Sequence, residues 1–224
     1  VVIAMRDPDP RTDGTGIARL EAAGVTVTQG VETNAARGAL AGFLTRQAKH
    51  RPHVTLKLAL SLDGRIALPD GSSRWITGPV ARAHAHLERA RHEMILIGRG
   101  TLDADAPRLD VRLPGLWDRS PRRAVLGHGV APEGWTALRA PADIAGLDGV
   151  DHLFVEGGAG AAAAFLSADL VDRLLVYTAP IIVGAGHSSI GDIGLSDLAT
   201  AHGRWRRTDT RTLGIDTLSI YERI

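Results

Sequence analysis

FVEGGAGAAAAFLSADLVD, residues 154–172, is the stretch on which the fold turns. The apolar run leading through it, HLFV, reads as a buried strand and closes on an ionisable side chain, Glu156. The chain then gives up its side chains at Gly157, Gly158, Ala159 and Gly160 before an alanine-rich helix begins. A glycine run between a strand's carboxyl end and a helix N-terminus offers unpaired amides and a positive dipole end to an anion. Ligands of α/β sheets sit at those carboxyl ends. The same residues also suit a tight strand–helix turn made for close packing, and their order is not the G-x-G-x-x-G dinucleotide fingerprint. Glu156 favours the ligand reading, because a carboxylate ending a buried strand needs a partner or a job.

Outward from this stretch, strand and helix signals alternate. VTLKLALSL (54–62), EMILIGRG (93–100) and RRAVLG (122–127) read as strands, as does LVDRLLVYTAPIIVG (170–184). DGRIALPDGSSRW reads as a turn-rich hairpin region, followed by a helix with Thr77 as N-cap and Pro79 in its first turn. Residues 204–223 read as a closing hairpin about Gly214. The pattern predicts an α/β fold whose sheet carries helices on both faces and is made mixed by that hairpin. Upstream, VVIAM, IARLEAAG and VTVTQG form a βαβ piece over 1–30, too small for a core of its own, and residues 31–48 show helical spacing before a junction at Pro52. With its start at Val1, this piece reads as the tail of a domain whose front lies upstream.

Composition excludes several classes. The 224 residues are 44% hydrophobic, enough for a real core, and 26 basic against 25 acidic residues leave no global field for nucleic acid or membrane. No apolar run reaches the roughly 18 residues of a membrane span. With no cysteine there is neither disulfide nor thiolate metal site, which fits a reducing, cytoplasmic setting. No histidine pair has ligand spacing, so no metal is expected, and His84 and His86 read as surface residues of a helix. Lys57 inside an apolar strand is either paired or on an edge with its head in water. Gly98, Arg99, Gly100 and Thr101, with Asp103, Asp105 and Arg112 beyond them, read as a second loop at a strand's carboxyl end.

Three stretches carry a resemblance: VTLKLALSLDGRIALPDGSSRWITGPVAR, GRGTLDADAPRLDVR and VEGGAGAAAAFLSADLVDRLLVYTAPIIVGAG. Together they resemble the reductase domain of the bifunctional riboflavin-biosynthesis deaminase/reductase family, in the family's order. The resemblance implies a dihydrofolate-reductase-like three-layer fold, with a mixed, mostly parallel sheet and a C-terminal antiparallel hairpin. It also implies a boundary: residues 1–48 resemble the C-terminal remnant of a cytidine-deaminase-like domain plus a linker helix, and residues 49–224 the reductase domain. The implied reaction passes a hydride from NADPH to the ribosyl C1′ of 5-amino-6-(5-phosphoribosylamino)uracil.

Motif by motif, the resemblance sets Ala59, Trp75, Thr101 and Asp105 against the cofactor, and brings Gly158, Ala159, Gly160 and Ala161 to Ala164 to its phosphates. It sets Ser73, Arg89, Leu109, Arg112 and Glu156 on the substrate, a phosphorylated ribosylaminopyrimidine, and makes Lys57, Asp105 and Glu156 the titratable groups for the chemistry. Arg99 is offered to the cofactor's 2′-phosphate, and a homo-oligomer (dimer or tetramer) is implied. Two departures stand out. Ala106 replaces the second of two adjacent aspartates, and Gly127-His128 stand where relatives tend to carry Asp and a small hydroxyl residue. The family's deaminase zinc site needs cysteines, which are absent here. Two other functions remain open at this level: a related reductase acting before deamination, and a module that binds a nucleotide without catalysis.

Overall fold

The computed structural model describes residues 1–224. In chain order the elements are β1 (Val2–Ile3), α1 (Thr15–Ala22), β2 (Thr28–Gln29), α2 (Thr33–Ala39), α3 (Ala41–Lys49), β3 (His53–Ser61), β4 (Arg65–Ala67), α4 (Pro79–Arg89) and β5 (Met94–Gly98). There follow α5 (Arg99–Asp105), β6 (Arg122–Leu126), β7 (Trp135–Leu138), β8 (His152–Val155), α6 (Ala159–Ser167), β9 (Arg173–Ala179), β10 (His187–Ser188), β11 (Trp205–Leu213) and β12 (Asp216–Arg223).

Eight strands form one sheet in the order β11-β12-β9-β3-β8-β5-β6-β7. From β9 to β7 every neighbouring pair is parallel, while β12 runs antiparallel to both β9 and β11. The closing hairpin about Gly214 is as the sequence predicts, with Leu213 opposite Asp216. The sheet is mixed and mostly parallel, and its central strands are apolar because both faces are covered. On one face Leu56, Leu96, Val155 and Phe165 of α6 share a core. On the other Ile95, Phe154, Tyr177 and Leu218 pack with Ala81 and Ala85 of α4. Side chains alternate along β3, so Val54, Leu56 and Leu58 join the α6 face while Thr55, Lys57 and Ala59 turn toward α4.

Several expectations need correction. Residues 31–48 are two helices, broken at Leu40, rather than one. The segment after β3 is no hairpin, since β4 pairs antiparallel with β10. Residues 99–105 fold as the short helix α5 rather than a loop. Gly78, not Thr77, caps α4, and its amide donates to Asp216 Oδ2 at 2.7 Å. His84 and His86 are half-buried instead of lying on a free face. His84 Nδ1 meets the Tyr177 hydroxyl at 2.8 Å, and His86 Nδ1 meets the Asp110 carbonyl at 3.0 Å. The first two strands are only two residues each and pair only with each other.

Candidate functional site

The site lies at the carboxyl ends of β3, β5, β6 and β8, where parallel strands leave their last groups to the loops. β8 ends at Val155, and Gly158 is the N-cap of α6 in an extended conformation with no side-chain cap. The amides of Ala159, Gly160 and Ala161 therefore have no intrahelical partner. The Gly158 amide is already used, donating to Thr101 Oγ1 at 3.1 Å and tying α6 to α5. The glycines are required by space: a Cβ on Gly157 would lie 2.6 Å from the Ala161 Cβ, and one on Gly158 3.2 Å from Thr101 Oγ1. Close packing explains Gly157, whereas a Cβ on Gly160 would meet nothing within 4 Å.

A cleft of about 500 Å³ opens over this turn, lined by Gly98, Arg99, Gly100, Thr101, Leu126, Gly127, Arg139, Pro141, Gly158, Ala159, Gly160, Ala161 and Ala164. Backbone and small side chains make most of its wall, and Arg99 and Arg139 supply its positive charge. Nε and Nη2 of Arg99 are buried without a hydrogen-bond partner. Free amides at a helix start, a wall without side chains and underused guanidinium groups fit the phosphates of a nucleotide cofactor.

Not every residue expected at the cofactor reaches the cleft. Ala161 and Ala164 line it, but Ala162 belongs to the core and Ala163 packs towards Gly191. The helical period explains the division, since only one face of α6 can look outward. Leu126, Gly127, Arg139 and Pro141 were missed by the sequence reading. Gly127 had a signal, a glycine at a strand's carboxyl end, whereas Arg139 had none.

Beside the cleft, Lys57 and Glu156 meet. Leu56 pairs with Val155 in the β3–β8 ladder, so the next residue on each strand falls side by side. Lys57 Nζ donates to Glu156 Oε1 at 3.2 Å, while Arg89, at the end of α4, donates Nη2 to Oε1 at 2.9 Å and Nε to Oε2 at 2.8 Å. All three side chains are largely buried. Burial pushes the Glu156 carboxyl up, but Lys57 and then Arg89 overcome it and hold the group down at about 2. Glu156 is therefore an anion at neutral pH, paired with two cations. Arg89 Nη1 also donates to the Asp110 carbonyl at 3.0 Å, fastening the segment that contains Leu109 and Arg112. Leu109 is buried at φ 54°, which turns the chain between Ala106 and Val111.

Asp105 is not part of this cluster. It ends α5, is exposed, and pairs with neither Lys57 nor Glu156. Trp75 is 65% exposed, with the Arg82 guanidinium 4.6 Å from its ring centre. Ser73 is half-buried and Arg112 exposed, its Nη1 3.6 Å from Asp110 Oδ1. Ala59 stands on β3 opposite Tyr177 of β9.

With this geometry in place, the likenesses to known proteins can be read. The RibD C-terminal domain matches residues 52–134 and 143–219. The riboflavin biosynthesis protein RibD of Mycobacterium tuberculosis is 37% identical over 233 residues, covering 97% of this chain and 68% of that protein. The Escherichia coli protein of the same name is 34% identical over 250 residues, 90% of this chain and 68% of its own length. Among solved structures, the diaminohydroxyphosphoribosylaminopyrimidine deaminase/5-amino-6-(5-phosphoribosylamino)uracil reductase of Thermotoga maritima superposes with a TM-score of 0.87 at 26% identity. That match takes in 100% of this chain and 71% of the other. Acinetobacter baumannii RibD matches equally well, with a TM-score of 0.87 at 27% identity over 100% of this chain and 72% of its own.

Fold, cleft and relatives together define an oxidoreductase that works with a pyridine nucleotide. The chain belongs to the RibD C-terminal domain family, the reductase unit of riboflavin biosynthesis.

Proposed function

We propose that the chain reduces the ribosyl group of 5-amino-6-(5-phosphoribosylamino)uracil to the ribitylamino product, with NADPH as the reductant. The observation that carries this reading is the adjacency of an open cleft and a buried charge cluster. A glycine-walled cleft sits at the start of α6, and the Lys57–Glu156–Arg89 cluster lies just behind Gly157. The cofactor supplies the hydride. The chain's own residues bind, orient and stabilise charge, and positioning supplies much of the rate.

In this proposal the amides of Ala159, Gly160 and Ala161 meet the pyrophosphate, Thr101 holds the cradle's edge, and Ala59, Trp75 and Asp105 border the rest of the cofactor. Arg99 answers the 2′-phosphate, which favours NADPH over NADH. Ser73, Arg89, Leu109, Arg112 and Glu156 hold the substrate, with Arg112 as the exposed cation for its phosphate. Glu156 stays ionised and orients hydroxyl or amino groups, so it accepts hydrogen bonds rather than giving up a proton. Lys57, held against it, carries a proton that can be donated to the opening sugar.

The same reading assigns residues 1–48 to the end of a cytidine-deaminase-like domain with its linker helix, and residues 49–224 to the reductase. The separate pairing of β1 with β2 supports that division. It also takes the protein to act in the cytoplasm as a homo-oligomer; no helix is long and apolar enough to cross a membrane.

The test is direct. Incubating the purified chain with NADPH and the substrate should consume reduced nicotinamide and yield the ribitylamino product. Binding of NADPH without turnover would replace the enzyme by a nucleotide-binding module. Equal affinity for NADPH and NADH would remove the cofactor preference, and an unchanged preference in Arg99→Ala would remove only that residue's part.

A further inference from the structure

The end of the sheet opposite the cleft holds a cluster that the reaction does not use. His53 opens β3, His152 opens β8, and His92 lies just before β5. The ring centres of His53 and His92 each lie 6.0 Å from that of His152. His92 is fully engaged inside the fold, with Nδ1 2.6 Å from the Glu88 carbonyl and Nε2 3.0 Å from Thr55 Oγ1. His152 instead reaches out of it. Its Nε2 stands 3.1 Å from the backbone nitrogen of Gly42, in the first turn of α3. An amide N–H can only donate, so Nε2 is bare and accepts. The proton of the neutral ring is then on Nδ1, which faces Glu93 Oε2 at 3.6 Å. Gly42 permits this approach: a Cβ there would lie 2.7 Å from Nδ1 and 2.8 Å from Nε2.

We infer that this contact is an acid-released latch, in which neutral His152 holds the first turn of α3 against the sheet and a proton on Nε2 lets it go. Protonation converts the acceptor offered to Gly42 into a second donor, so two N–H groups face each other. Docking thus binds one proton fewer than release. It is strongest at high pH and weakens as pH falls, by up to about tenfold per pH unit.

The neighbouring charges leave this sign intact. Burial pushes the Glu93 carboxyl up, but hydrogen bonds from the His152 ring and amide pull it down to about 2, so an anion waits beside Nδ1 for the imidazolium. From α3, Arg46 donates to the carbonyls of Leu147 and Val150 and lies 3.5 Å from Asp151. The two carbonyl acceptors carry no titratable proton, and their bonds to Arg46 tie the rest of α3 to the sheet. Burial lowers His53 and His92 to about 4, which keeps both rings neutral through that range. Asp172, with Arg51 and Lys49, and Arg173, with Glu88, complete the charged surroundings as paired ions.

Hydrogen exchange of the full chain tests the latch, read as protection factors so that the pH dependence of intrinsic exchange divides out. Between about pH 7.5 and 5.5, the interval in which histidines in general change charge, protection at Gly42 and its neighbours in α3 should fall severalfold, up to about tenfold, while β8 stays unchanged. His152→Gln offers a carbonyl acceptor that does not titrate, and should hold protection level across the same range. A flat wild-type profile, or a variant with the wild-type slope, overturns the inference. Should the variant fold poorly, the ring nitrogen shifts of wild-type His152 decide the matter: Nε2 protonated at about pH 7.5 is incompatible with the latch.

Discussion

The two ends of the one sheet are built on opposite principles. At the amino end, polar groups are mostly consumed within the fold: Asp172 takes Lys49 at 2.9 Å, Arg51 at 2.6 and 2.9 Å, and the Val54 amide at 3.0 Å. At the carboxyl end, amides at the start of α6 and two nitrogens of Arg99 are left over. A buried polar group without a partner costs stability, and at the cleft such groups stand together with free amides, which is what the proposed cofactor phosphates would satisfy. The buried carboxylates Asp172 and Glu156 sharpen the comparison. Each is largely buried, paired with two cations and held at about 2 against burial, yet only Glu156 adjoins the open cleft. Perturbation alone therefore does not identify a site; what separates Glu156 from Asp172 is the open cleft beside it.

The largest effect expected is at Glu156. In Glu156→Gln one acceptor becomes a donor and two cations lose their counter-charge. Turnover of the phosphoribosylaminopyrimidine should fall on the order of a hundredfold or more per folded molecule, with NADPH affinity near wild type. Stability should fall as well, by about 3 kcal/mol, as when a buried pair is broken. Rates corrected for the folded fraction, with cofactor titration on the same preparation, separate the two losses. Full activity in the folded variant would make Glu156 the structural equal of Asp172.

Asp172→Asn is the matching experiment at the other end. It leaves Arg51 buried without its partner charge, and denaturant unfolding should show a loss of about 3 kcal/mol. Turnover per folded molecule and NADPH affinity should not move. A change in either would show that the two ends are coupled.

Gly158→Val acts on the cradle. The backbone there is extended, so the substitution is not strained, but the branched side chain crowds Thr101 Oγ1 and would stand where the proposed phosphate meets backbone. The dissociation constant for NADPH should rise at least about tenfold, with about 1 kcal/mol lost from stability for the Thr101 bond. Normal cofactor binding would mean that Gly158, like Gly157, serves packing.

How much of this was legible in the sequence follows from what each feature depends on. Period and glycine placement are local, so the strands around Gly157–Gly160, the closing hairpin and the cleft's floor could be read directly. Lys57 and Glu156 could be singled out as charges in apolar strands, but their pairing with Arg89 depends on register between β3 and β8 and on where α4 ends. Arg139 sits past the last strand of the sheet and gave no local sign. The helix α5 was hidden because its first turn, Arg99-Gly100-Thr101, reads as loop chemistry. Ala162 and Ala163 lie on the buried side of α6, and a motif match does not resolve which face of a helix looks outward.

The two ends also differ in their response to pH. Glu156 and Asp172, lowered to about 2, contribute stability that is present above the ordinary carboxylate range and is lost only as pH falls toward 2. Neither can produce an inflection in milder acid. His53 and His92 can, because burial lowers both to about 4 and His53 Nδ1 has no partner to receive a proton. Their folded forms bind fewer protons than the unfolded chain, so stability falls as pH drops from about 6.5 toward 4, with a slope of about 1.4 kcal/mol per pH unit for each ring. Urea unfolding in steps through that interval should show both contributions. Replacing His53 by phenylalanine, a neutral ring for a neutral ring, should remove about half of the slope while leaving turnover at neutral pH intact. An undiminished slope would move the acid sensitivity away from the amino end of the sheet, toward half-buried rings such as His86, which burial also lowers.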